Sequence, residues 1–235
     1  MLKFVSIGAQ KSGTSWLYEA LSKHPSIGFP GGKEVHFWDA HRSKGVAWYR
    51  SLFNAEDRLN GDITPAYAIL PPDSIQEVYT HFPSLRLIYL MRNPIDRAWS
   101  SARMALRRAE MQFFEASDQW FIDHFRSQGS MLRGDYATSL KNWMSVYPRE
   151  RFHLSRYEQI VADPVALANS VLTHIGLKEY FTSAHREELS RPVFEGSRHA
   201  LRPRLAEVLL DLYADKIDDL SRFLGSDFSE WKETR

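Results

Sequence analysis

The chain opens on an apolar hexapeptide, Leu2 to Ile7, that runs directly into a polar, glycine-bearing turn, Gly8 to Thr14, and then into an amphipathic stretch, Ser15 to Lys23. No other feature constrains the fold as much. The hexapeptide reads as a short buried strand. In the stretch that follows, Trp16, Leu17, Ala20 and Leu21 recur at helical spacing and form one apolar stripe, closed by His24-Pro25. A strand that is apolar on both faces needs further strands beside it and helices over it.

The rest of the chain supplies them. Leu85 to Met91 (LRLIYLM) is the clearest buried strand and stops at Arg92-Asn93-Pro94; Phe152 to Ser155 reads as a shorter one. Helices are expected over Gly45 to Phe53, Pro72 to Phe82, Ile95 to Arg108, 115–127, 134–146, 163–174 and, longest, Arg202 to Phe223. Proline at Pro71-Pro72 suits a helix start. Ser183 to Pro203, with Arg186, Arg191, Arg198, His199 and Arg202, has weak periodicity and reads as a basic loop. Strands alternating with helices predict an α/β fold of three layers, a parallel sheet flanked by helices. At 235 residues, 43% of them hydrophobic, the chain is long enough for one sizeable core, so residues 1–235 are expected to form a single domain.

Charge narrows the partners. Thirty Lys+Arg stand against 29 Asp+Glu, a net charge of +1, so no global field favours nucleic acid and any anion site must be local. The chain has no cysteine, which excludes disulfides, Cys-ligated metals and cysteine nucleophiles. No stretch of about 18 apolar residues is present, so no membrane span is expected. The first residues are too short an apolar run for a secretory signal, and a cytoplasmic setting is the expectation. The oligomeric state is not legible.

Gly8-Ala9-Gln10-Lys11-Ser12-Gly13-Thr14-Ser15 lies between the first strand and the first helix. Such a turn offers backbone N–H groups and the positive end of a helix dipole to an anion. Gly13 allows close backbone approach, Lys11 adds a point charge, and Ser12, Thr14 and Ser15 add hydroxyls. A nucleotide-hydrolysing P-loop reads G-x-x-x-x-G-K-[ST]; here the lysine precedes the second glycine and the spacing differs. Ordinary helix capping by serine and threonine is the alternative reading. At the end of the best strand, Arg92-Asn93-Pro94-Ile95-Asp96-Arg97-Ala98-Trp99-Ser100 enters a helix. Ligands of open parallel sheets gather at that end of the strands, where Arg92 suits a bidentate phosphate clamp and Ser100 a hydroxyl donor. Arg97 is expected to be structural or charge-pairing. Lys33-Glu34-Val35-His36-Phe37-Trp38-Asp39 puts a carboxylate and an imidazole close enough for acid–base work. If the segment is a strand, Glu34 and His36 share one side. The alternative is a Glu–Lys surface pair beside a core histidine.

The order K-S-G-T-S-W resembles the 5′-phosphosulfate loop of sulfotransferases that use 3′-phosphoadenosine 5′-phosphosulfate (PAPS), whose cytosolic members carry K-S-G-T-T-W after a first strand. The resemblance implies that Lys11 meets the phosphosulfate bridge, with Ser12, Gly13, Thr14 and Ser15 around it, and that Trp16 lies near the adenine. On the residues alone, Trp16 reads as core. Arg92 through Ser100 resembles the family's R-[ND]-P-x-x-R-x-x-S motif, which implies 3′-phosphate contacts for Arg92 and Ser100. Lys33 through Asp39 is similar to the K-E-x-H-F-F-D segment of heparan sulfate sulfotransferases, with further likeness in Gly45-Val46-Ala47-Trp48-Tyr49 and Thr64-Pro65-Ala66-Tyr67. That implies Glu34 as the base, with His36, by likeness to the cytosolic branch, as its competitor. Arg133-Gly134-Asp135-Tyr136 with Leu140 and Trp143 resembles another family helix, and Tyr157-Glu158 its Y-E pair. Gly196-Ser197-Arg198 falls at the family's K-G-R loop and brings Ser197 and Arg198 toward the nucleotide. Two departures count against a sulfated polysaccharide acceptor. Ile63 stands where the heparan enzymes carry lysine, and their usual disulfide has no counterpart.

The expected reaction is metal-free sulfuryl transfer from PAPS to an acceptor hydroxyl or amine, releasing adenosine 3′,5′-bisphosphate. The acceptor is a small molecule, a lipid or a carbohydrate. The alternatives are a P-loop nucleotide kinase or NTPase, and a PAPS-binding protein without catalysis.

Overall fold

The computed structural model describes residues 1–54, 57–193 and 199–233. Among the described residues, five parallel strands form one sheet in the order β2-β3-β1-β4-β5, from β1 (Leu2–Gly8), β2 (Ile27–Gly28), β3 (Leu59–Ile63), β4 (Arg86–Met91) and β5 (Phe152–Arg156). The α-helices are α1 (Thr14–Ser22), α2 (Phe37–Ala40), α3 (Val46–Ser51), α4 (Pro72–His81), α5 (Pro94–Arg108), α6 (Asp118–Arg126), α7 (Gln128–Gly134), α8 (Tyr136–Met144), α9 (Tyr157–Ala162), α10 (Pro164–His174), α11 (Arg186–Leu189) and α12 (Pro203–Leu224). The parallel sheet flanked by helices is the α/β architecture expected from the sequence.

Several sequence expectations need correction. β2 and β3 were not anticipated. β3 reads Leu-Asn-Gly-Asp-Ile, and its polar residues Asn60 and Asp62 are fully buried. Gly61 is there because the Phe4 ring of β1 lies against it; an added Cβ would stand 2.1 Å from Phe4 Cζ. The expected helix over 134–146 is α8; α7, between it and α6, was not anticipated and ends at Asp135, φ −89°, ψ 77°. The expected loop 183–203 holds a 3₁₀ turn, Ser183–His185, and α11. Residues 33–36 are not a strand: Glu34 and His36 both have left-handed backbones, φ 61° and 54°.

The chain divides into two compact units. The first comprises Met1–Met91 and Lys141–Val193 and contains the whole sheet. On one sheet face, Phe4, Ile63, Ile88 and Leu90 pack with Trp16, Leu17, Ala20 and Leu21 of α1 and Leu167, Ala168, Val171 and Leu172 of α10. On the other, the 3₁₀ turn Pro65–Ile69 approaches Gly8 and Tyr89, and Trp143 donates its indole N–H to Tyr67 O at 3.0 Å. Removing this much apolar surface from water is the main stabilising term, about 25 cal/mol per Å² buried.

The second unit, Arg92–Leu140 and Phe194–Arg235, is helical. Leu205, Leu209, Tyr213, Ile217 and Leu220 form the buried stripe of α12, which packs on α5 and α6. Arg97 is fully buried at their centre, donating to Ser130 O, Ser130 Oγ and Tyr213 Oη at 3.0–3.2 Å. It is the structural residue the sequence suggested.

Candidate active site

The first turn after β1 is held open by its own backbone. Ala9 N–H donates to Leu90 O at 2.7 Å and Ser12 N–H to Ala9 O at 3.2 Å. Lys11 and Gly13 have positive φ, 68° and 96°, and α1 starts at Thr14 with no side chain capping its N-terminus. Ordinary capping therefore does not account for the hydroxyls. Ser12 is fully buried, and among the described residues its Oγ has no hydrogen-bond partner. A buried unsatisfied hydroxyl costs about 1–3 kcal/mol, and at a helix N-terminus an anion oxygen would satisfy it. Gly13 is required twice, by its φ and by space: a Cβ would lie 2.4 Å from Ile160 Cδ1 and 3.3 Å from Tyr157 Cδ2. Tyr157 thus flanks the loop. Trp16 lies in the core with its Nε1–H on Leu189 O at 2.8 Å.

The segment after Gly32 meets this loop. Lys33 Nζ donates to Ser15 Oγ at 2.7 Å and lies 2.9 Å from Glu34 Oε1. The other carboxylate oxygen, Glu34 Oε2, is 3.4 Å from His36 Nε2. His36 Nδ1 is 2.8 Å from Asp39 Oδ2 on α2. Burial lowers the affinity of His36 for a proton, but the Asp39 and Glu34 carboxylates outweigh it, and its pKa is raised above 6.5. Glu34 and His36 do face each other as expected, although by consecutive left-handed turns around Val35 rather than by strand alternation.

Sequence reasoning missed what fixes those turns. Asp62 is fully buried in β3 and accepts hydrogen bonds from Tyr49 Oη (2.7 Å), Thr64 Oγ1 (2.7 Å) and Tyr67 Oη (3.1 Å), and from the Val35 amide. Burial raises its pKa above the usual carboxylate value, and these donors moderate the rise. The flanking amides are held too. Glu34 N–H donates to Ile63 O (3.1 Å), His36 N–H to Thr64 Oγ1 (3.4 Å) and Phe37 N–H to Tyr67 Oη (2.9 Å). Left-handed non-glycine residues cost about 1–2 kcal/mol each, and this set of acceptors holds them in place. Asp39 was within the quoted motif and readable as a partner to His36 three residues earlier; Asp62 gave no comparable signal.

In the second unit, Arg92 and Ser100 are half-buried. Arg92 Nη2 lies 3.8 Å from Asp96 Oδ2, and Arg92 O accepts from Tyr136 Oη at 2.8 Å. Asn93 caps α5 by accepting from Ile95 N–H at 3.0 Å. Arg103, unremarked in the sequence, has a lowered pKa, through burial first and then the positive charge of Arg92. Arg92, just before α5, and Arg103 within it thus place two partly buried positive charges near each other, with Asp96 partly balancing Arg92. Ser197 and Arg198 lie outside the described residues. Among the described residues, no group of three or more His, Asp or Glu side chains is arranged to hold a metal ion.

Comparison with known proteins fits this site. Mouse heparan sulfate glucosamine 3-O-sulfotransferase 6 is 29% identical over 184 residues, 76% of this chain and 53% of that protein. Mouse heparan sulfate glucosamine 3-O-sulfotransferase 3A1 is 30% identical over 189 residues, 77% of this chain and 47% of that protein. The chain thus spans about half the length of these curated relatives. Among solved structures, a sulfotransferase from Alicyclobacillus acidocaldarius superposes with a TM-score of 0.77 at 24% identity, covering 99% of both chains. Mouse sulfotransferase SULT7A1 complexed with PAP gives 0.62 at 16% identity, covering 95% of this chain and 87% of that one. Both share the fold. Residues 3–197 match the sulfotransferase domain, which sets aside the nucleotide-kinase alternative, and the chain belongs to the sulfotransferase family.

Proposed function

We propose that the protein transfers a sulfuryl group from PAPS to an acceptor hydroxyl, with Glu34 as the general base. The observation that carries this reading is the placement of the base beside the anion loop: Lys33 binds Ser15 Oγ on one side and Glu34 on the other. The loop fits a phosphosulfate. Its backbone N–H groups, the buried Ser12 hydroxyl and Lys11 offer donors to anionic oxygens. PAPS, when bound, supplies an activated sulfuryl group on a phosphate leaving group. Lys11 faces the oxygen that leaves and neutralises its growing charge. Ser12, Gly13, Thr14 and Ser15 hold the 5′ end, and Trp16 and Tyr157 attend the adenosine. Arg92 and Ser100 bind the 3′-phosphate, joined in this proposal by Ser197 and Arg198. The match to residues 3–197 runs through both units and supports a single catalytic domain.

The histidine is better suited to support than to lead. Asp39 accepts the Nδ1 proton of His36, which leaves Nε2 directed at Glu34. Glu34 takes the proton from the acceptor and can share it with that nitrogen. The names of the curated relatives, which denote transfer to a 3-O position of a glucosamine, favour a carbohydrate within the broader range of sugar, lipid or small-molecule acceptors.

Calorimetric titration with adenosine 3′,5′-bisphosphate, AMP and ATP–Mg²⁺ tests the reading. Tight binding of the bisphosphate, with AMP far weaker, is expected. Preference for ATP–Mg²⁺, or no binding by folded protein, would sink it. Bisphosphate binding with no PAPS turnover across an acceptor screen would favour a non-catalytic nucleotide binder.

A further inference from the structure

Lys33 bridges two groups. One of its partners, Ser15 Oγ, belongs to the first turn of α1, at the anion loop; the other, Glu34 Oε1, belongs to the proposed base. In an in-line displacement the group in flight lies between the leaving oxygen and the attacking oxygen. The loop holds the first of these and Glu34 addresses the second. An ammonium bonded to both sides therefore spans the interval that the moving group must cross. Its side chain is only 27% exposed, which limits screening by water. Lysine also suits the task, with three donors on a flexible stem that can exchange one oxygen for another.

We propose that Lys33 is a catalytic residue acting on the sulfuryl group itself, an inference that rests on the sulfotransferase reading. With PAPS in the loop, Lys33 turns its ammonium from Glu34 to the sulfuryl oxygens. That frees Glu34 Oε1 to accept the acceptor's proton. The acceptor oxygen forms the new O–S bond, and the S–O bond to the 5′-phosphate breaks with its electron pair left on the phosphate oxygen that Lys11 faces. Lys33 meets the charge on the group in flight while Lys11 meets the charge on the group that departs.

The test needs no acceptor. Wild type, Lys33→Met and Lys33→Arg are titrated calorimetrically with adenosine 3′,5′-bisphosphate, which lacks the sulfuryl group, and with PAPS, which carries it. A charge-assisted contact confined to the sulfuryl group predicts that Lys33→Met binds the bisphosphate within about twofold of wild type but PAPS roughly 10- to 100-fold more weakly. Lys33→Arg, which keeps the charge, recovers most of that loss. If Lys33→Met changes both affinities by one common factor, or neither, Lys33 is a surface partner of Glu34 and the inference fails while the sulfotransferase reading stands. If wild type does not bind the bisphosphate, the reading fails and the inference falls with it.

Discussion

Glu34 carries the chemistry proposed here, and its surroundings define what its removal does. One carboxylate oxygen meets Lys33 and the other faces His36. Glu34→Gln keeps the shape and removes the base. Loss of a positioned base costs about 10²–10⁴ in rate, so PAPS turnover should fall by that factor while calorimetric binding of the bisphosphate stays near wild type. Near-full turnover in this variant would move the base role to His36. The residue identities were legible in the sequence because a carboxylate and an imidazole so close together are a chemical signal in themselves. Their geometry was not. Alternation along a strand gave the right side for the wrong reason, since local backbone sterics predict against left-handed Glu34 and His36 and only the acceptors on Asp62, Ile63, Thr64 and Tyr67 override them.

At the scale of elements, β3 and the turn after it hold residues 34–37 in place. Asp62 accepts from two tyrosine hydroxyls, a threonine hydroxyl and the Val35 amide. In Asp62→Asn one acceptor oxygen becomes a donor. The hydroxyls can turn away, but an amide cannot, and a buried donor left unpaired costs about 1–3 kcal/mol. Urea denaturation should show that loss of stability; an unchanged midpoint would mean the network contributes nothing net. β4 was readable from composition alone, because a run of apolar residues in a parallel sheet has no other destination. β3 was not, because Asn60, Gly61 and Asp62 look like a turn until their partners Phe53, Phe4 and Tyr49 are brought to them from elsewhere in the chain. The helices that carry strong stripes, α1, α5 and α12, were legible for the same reason that β4 was. The boundary near Asp135 was legible as the start of the helix expected over 134–146, but the seven-residue α7 before it is too short for its periodicity to show.

For the whole molecule, pH sets a limit on stability. His153 of β5 lies between the hydroxyls of Ser155 and Ser170, and burial, aided by His174, lowers its pKa to about 4. His24, His124 and His174 are shifted down as well, each by burial first. A histidine whose folded pKa lies below its unfolded value of 6.5 binds its proton more readily in the unfolded chain. Its contribution is therefore complete above about pH 6.5 and is lost as pH falls toward 4. For His153 the loss is on the order of 3 kcal/mol. Denaturation midpoints measured from pH 7 to pH 4.5 should fall steadily, and His153→Gln should flatten the curve; an unaltered slope in that variant would assign the acid sensitivity elsewhere.

The strand order has a consequence for biosynthesis. β1 is made first and ends up in the middle of the sheet, between β3 and β4. As the chain leaves the ribosome, that strand waits with both edges open until residues 59–63 and then 86–91 have emerged, and the edge strand β5 arrives only at residues 152–156. Parallel pairing across such separations incurs its loop-closure entropy before hydrogen bonds and burial offset it. The nascent protein therefore displays this apolar strand, and beside it the Gly8–Ser15 loop, before either of its sheet neighbours is made. During that interval it is a natural client for holding chaperones.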